Sequence, residues 1–164
     1  MSCLNAKPTK PTESGNTDLI EVATGSFGFL IKEYGLRLVK SDNNSIRYQN
    51  AKAFLNISLG RASLEIKVEI GLLPNQYDDA EHKFSLTEII ELLGNRNESE
   101  YSYYQGITRE QLQKNLPILA GLVKKYARDV LKGDYLFIQN LERLRFDSSF
   151  GLAKEERFDR DNFD

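Results

Sequence analysis

A chain with one histidine and one cysteine has few ways to build a site that depends on either. His82 closes the run Asp78-Asp79-Ala80-Glu81-His82. Carboxylates and an imidazole are the donors a divalent cation takes. The run is contiguous, however, and lacks the spacing that sets ligands around an ion on a rigid element, so it reads as a solvated connector. Any zinc site or triad that relies on histidine would have to use this one residue. Cys3 lies in the polar stretch MSCLNAKPTKPTESG, without the structured electropositive pocket that activates a thiolate. It has no internal partner for a disulfide, which fits a reducing cytoplasm. Thr24-Gly25-Ser26-Phe27-Gly28 carries two glycines but matches neither a phosphate-binding loop nor a dinucleotide fingerprint, and reads as backbone at a helix start. No catalytic residue, metal ligand or cofactor site is assigned.

Three further groups carry charge or aromatic surface. Glu65 and Glu69 fall on one side of an alternating segment, as paired carboxylates would, with Lys67 between them. A salt-bridged, water-facing surface accounts for that pattern. Lys124, Lys125, Arg128 and Lys132, followed by Arg143 and Arg145, could line a ridge that neutralises phosphates. Their helical spacing beside an apolar stripe equally suits basic chains that snorkel, and Asp129 and Glu142 dilute the excess. Tyr101, Tyr103 and Tyr104 stand in a polar loop flanked by Glu98, Glu100 and Gly106. Tyrosine offers a large apolar face and a hydroxyl at low rotamer cost, which suits a partner interface. The competing role is to cover the domain's own core. These three tyrosines are the candidate partner-binding residues.

The elements that must position them follow from periodicity. Phe27, Leu30, Ile31 and Tyr34 fall on one helical face, with Ser26 as the expected N-cap and Gly35 as the left-handed closing residue, and an earlier helical turn at Asp18 to Thr24, set off by Gly25, stays open. The period then changes to two. Strands are predicted to begin at Leu36 and Leu38, to return at Ile46 and Tyr48, and to continue through Leu55, Ile57 and Leu59 and then Leu64, Ile66, Val68 and Ile70. The connections are short, so the strands form an antiparallel meander, which Gly71 and Pro74 are expected to end. Ser85-Leu86-Thr87-Glu88 and Thr108-Arg109-Glu110-Gln111 match capping boxes that open two helices. The second helix carries Leu112, Leu116, Leu119, Val123, Tyr126 and Val130, with a kink or division expected at Pro117. Asp134 caps a last helix bearing Phe137, Leu141 and Leu144. The reading is an α+β domain: an N-terminal helix, a four-stranded antiparallel meander, then three helices packed on one face of the sheet. Residues 1–16 are expected to be a flexible tail, 17–146 the single domain, and 147–164 a loosely attached acidic tail.

Composition limits the function classes. The 164 residues are 40% hydrophobic and 28% charged, enough for a core and too apolar for a disordered chain. A net charge of −2 lacks the basic excess of a nucleic-acid coat. No apolar run approaches the roughly 20 residues of a membrane helix, and the first residues are polar rather than signal-like.

Phe27-Gly28-Phe29-Leu30 with Glu33-Tyr34-Gly35, then Ile46-Arg47-Tyr48, Leu64 to Gly71, and Gly133-Asp134 ahead of Phe137 carry a resemblance. They resemble small uncharacterised bacterial proteins, some of which look like the immunity or accessory proteins of toxin and defence systems. The resemblance implies a bacterial, cytoplasmic protein that works by binding another protein, as an inhibitor or accessory subunit. It brings no catalytic residue and no cofactor. A small enzyme using carboxylates and a nucleic-acid binder are the rival readings. A membrane role is not expected, and a homo-oligomer stays open.

Overall fold

The computed structural model describes residues 15–42, 44–74, 81–95 and 104–150. In chain order these form α1 (Gly15–Ser26), α2 (Phe29–Tyr34), β1 (Arg37–Asp42), β2 (Ser45–Gln49), β3 (Ala53–Leu59), β4 (Glu65–Leu72), β5 (His82–Ser85), α3 (Leu86–Leu92), β6 (Tyr104–Gln105), α4 (Arg109–Tyr126), α5 (Arg128–Leu131) and α6 (Tyr135–Phe150). The α+β class stands. Most of the expected N-terminal tail, Cys3 included, and the last 14 residues of the acidic tail lie outside the described residues. Gly15 and Asn16 begin α1, and 147–150 complete α6.

The meander is present in its predicted order, every pair antiparallel. Alternation decides which side chains are covered. Ile46 and Tyr48, Leu55 and Ile57, and Ile66, Val68 and Ile70 form one buried face, each at most 4% exposed. The turns have local causes. Asp42 accepts from the Asn44 amide at 3.1 Å and the Ser45 hydroxyl at 2.8 Å, and Asn50 accepts from the amides of Lys52 and Ala53, both at 2.8 Å.

The sheet has six strands rather than four, because it does not end at Gly71. β4 continues to Leu72, and β5 returns beside it with Ile70 opposite Phe84 and Gly71 opposite Lys83. Gly71 is required there: a Cβ would sit 1.9 Å from the His82 carbonyl oxygen. β6, only two residues long, pairs with the start of the same β4 edge. Elements this short carry too little alternation to be recognised in sequence.

The helices also differ from expectation. Two N-terminal helices replace one, and Ser26 is the last residue of α1 rather than an N-cap. Gly28 precedes α2 without a side-chain cap, while Gly35 closes it at φ 65° as expected. Pro117 does not divide the long helix. It and Gln113, whose carbonyl loses a donor to the proline, both lie on the exposed side of α4, so the lost bond is not a buried one. The division falls at Ala127 instead, so four helices follow β5. They do not all lie on the sheet in the same way: α3, α5 and α6 pack on its longer strands, whereas α4 meets the two-residue β6 and carries α1. Arg109, on α4, fixes that second pairing through Asp18 and through two bonds to Glu21 at 2.8 and 3.1 Å. The guanidinium holds the Glu21 carboxyl below the ordinary carboxylate range.

Candidate functional site

β4 is lined on one edge by β3 and on the other by two short pieces. β5 covers Glu69 to Leu72, and β6 covers Glu65 and Ile66. No described strand runs beside Lys67 and Val68 on that second edge. The Gly106 amide donates to the Leu64 carbonyl at 2.9 Å, so even-numbered residues turn their backbone groups this way. The Val68 N–H and C=O therefore point toward this edge.

A groove of about 390 Å3 occupies this place, within the usual range for a binding cleft. β4 supplies Glu65 to Glu69, and the β5–α3 junction supplies Ser85 to Glu88 and Glu91. Ser85 caps α3 by accepting from the Glu88 amide at 3.1 Å, which sets the helix start against the strand. The reciprocal half of the expected capping box is not made. The Glu88 carboxylate instead takes Arg145 of α6 at 2.6 and 2.9 Å. Arg145 also donates to the Lys83 carbonyl and lies 3.8 Å from the centre of the Phe84 ring, so α6 is tied to the groove's outer wall.

Glu65, Glu69, Glu88 and Glu91 face a lining in which Lys67 is the one cation among the described residues. Glu69 is neutralised, but not by Lys67 as the spacing suggests. Lys83, its neighbour on β5, approaches to 3.3 Å, and Asn56 adds a bond at 3.4 Å. Among the described residues Glu65 and Lys67 form no ion pair. Buried Ile66, Val68, Leu86 and Leu119 make the floor. The arrangement can take a segment with apolar and cationic groups, and its strand edge can bond to an extended backbone.

Tyr104 enters β6 opposite Ile66, half-buried and packed against the core beside the groove. Tyr101 and Tyr103 lie outside the described residues. Their loop connects α3, which walls the groove, to β6, which borders it. Sequence reasoning missed Glu88 and Glu91. Their spacing of three on a short helix is the signal that puts both on one face.

The remaining candidates are placed elsewhere. His82 is not in a connector: it opens β5, meets the Glu142 carboxylate through Nδ1, and stacks edge-on against Tyr135 at 5.7 Å. Asp78, Asp79 and Ala80 lie outside the described residues. Glu81 reaches across to Arg47 at 2.9 Å, and that guanidinium also covers the buried Phe54 ring at 4.2 Å. Among the described residues, no group of three or more His, Cys, Asp or Glu side chains is placed to hold a metal. Several members of the basic ridge have acidic or aromatic neighbours: Lys124 lies 3.8 Å from Glu33 and 4.5 Å from the Phe29 ring centre, and Arg128 3.9 Å from Asp129. No helix among the described residues is long and apolar enough to cross a membrane. Neither a protein-family model, nor a curated protein, nor a solved structure matches the chain.

Proposed function

We propose that the chain is a protein-binding module, of the kind that serves as an immunity-type inhibitor or an accessory subunit. Its partner would be gripped at the groove beside β4 and by the tyrosine loop that leads into β6. The observation that carries this reading is the interrupted edge of β4. There, strand backbone, an apolar floor and a carboxylate rim converge next to Tyr104. Extended segments bind such edges through main-chain bonds and are selected by the side-chain pockets along them. Glu65, which forms no ion pair among the described residues, favours a partner segment carrying Lys or Arg.

Tyr101 and Tyr103 would act as aromatic anchors, a residue type that contributes much of the binding energy at interfaces. Tyr104 borders the groove and also packs on the core. The test is affinity capture from the native organism, followed by titration of the captured protein against variants. Replacing Tyr101 and Tyr103 with Ser should weaken binding by at least about 2 kcal/mol, roughly thirtyfold, while the melting temperature stays unchanged. Glu65→Lys should weaken it too and reduce its salt dependence. Unchanged affinity in both folded variants would remove the groove and loop from the interface.

A further inference from the structure

The far edge of the sheet is built differently. β1 is an end strand, and all six of its residues are exposed. Leu38 stands opposite the buried Tyr48 and so shares the core face, yet it is 41% exposed. The helical layer therefore stops short of β1 and leaves space beside it. Val39, 54% exposed, is an extra residue in the pairing: Leu38 meets Tyr48 and Lys40 meets Arg47.

The ladder shows which backbone groups are directed outward. Leu59 donates to Asn44, and Asn50 donates to the Ala53 carbonyl, so odd-numbered residues of β3 bond toward β2. Their partners Ile46 and Tyr48 bond back toward β3, which leaves Ser45, Arg47 and Gln49 to bond toward β1. Opposite these stand Asp42, Lys40 and Arg37. By alternation, the backbone groups of Leu38 and Ser41 point away from the sheet.

We propose that a second copy of this chain pairs along this edge, β1 antiparallel to β1, about a two-fold axis through the bulge. Leu38 then exchanges backbone bonds with Ser41 of the partner subunit, and Ser41 with the partner's Leu38. Arg37 stands directly across from Asp42 of the partner subunit, both on the outer face. The strand Arg-Leu-Val-Lys-Ser-Asp is thus complementary to itself when read in the opposite direction. A bulge and a lysine ordinarily keep foreign strands off an edge. Here the bulge sits on the axis, so the strand that matches its contour is another copy of β1. The bare core-side face of β1 leaves room for the two helical layers on the same side of the joined sheet.

Sedimentation velocity of the full chain over a concentration series tests the pairing. A reversible dimer is expected. Arg37→Glu sets two carboxylates against each other at both ends of the seam and should weaken the dimer at least about tenfold. Arg37 forms no ion pair among the described residues, so this variant should keep its fold, as circular dichroism would report. Asp42→Lys should weaken the dimer equally, and mixing the two variants should restore it, because each end regains opposite charges. If Asp42→Lys loses its turn and misfolds, Arg37→Glu decides alone. A wild-type chain monomeric throughout, or a dimer undiminished in Arg37→Glu, would overturn the proposal.

Discussion

The two edges of this one sheet are finished in opposite ways. At β1 a strand of six exposed residues ends the sheet, with no helix over it among the described residues. At β4 the outer edge is shared by two short strands, and a helix start walls the gap between them. The first edge is one strand, broken in register only by the bulge at Val39, and poor in tertiary contacts. The second is irregular in sequence and held by packing, by the Ser85 cap, and by the Arg145 bonds to Glu88 and Lys83. Strand formation and burial are therefore separable: a repeating pattern makes a strand, but surrounding elements decide whether its edge is covered.

Breaking each edge in turn should expose that contrast. Phe84→Ala removes a ring that is 1% exposed and opposite Ile70, and should cost about 3–5 kcal/mol in urea unfolding. Ile66→Ala or Val68→Ala, on the groove floor, should cost about 1–4 kcal/mol, against less than about 1 for Lys67→Ala on the same strand. Comparable losses at all three would refute alternating burial along β4. Thr108→Ala removes a capping bond to the Gln111 amide at 3.2 Å, beside β6, and should cost about 1 kcal/mol. Acid should act on the link between α1 and α4. Because Arg109 lowers the folded pKa of Glu21, the stabilisation is complete above the ordinary carboxylate pKa and is lost as pH falls through the folded value. The protection factors of the α1 amides, corrected for the slower intrinsic exchange in acid, should therefore fall selectively on acidification, and unchanged protection would contradict the anchoring role. Leu38→Ala should be the mildest, within about 0.5 kcal/mol, since its side chain is already in solvent.

The same division explains what was legible in the sequence. β2, β3 and β4 alternate over five to eight residues, so Ile46, Leu55, Ile57, Ile66, Val68 and Ile70 were identifiable as core. The apolar stripe of α4 was equally plain, from Leu112 to Tyr126. β5 and β6 were hidden because four and two residues cannot establish a period, and their pairing depends on a chain that returns from elsewhere. Leu64 illustrates the other failure. It continues the alternation of β4 but sits in the preceding turn at φ 51°, its amide bonded to the Gly60 carbonyl. Of the candidate site, the carboxylates of β4 were visible as a pair. The opposing Glu88 and Glu91 were not, since only the fold brings α3 alongside. Lys67 was the obvious cation by spacing, yet it is Lys83, diagonal to Glu69 across the β4–β5 pairing, that holds the carboxylate, and only the fold brings β5 alongside.

Hydrogen–deuterium exchange of the chain with and without its captured partner tests the central claim most directly. Partner binding at the interrupted edge of β4 should protect Glu65 to Glu69, Ser85 to Glu91 and the Tyr101–Tyr104 loop, while exchange along β1 stays as it was. Protection that spared all three of those segments, or that fell on β1 instead, would contradict the account.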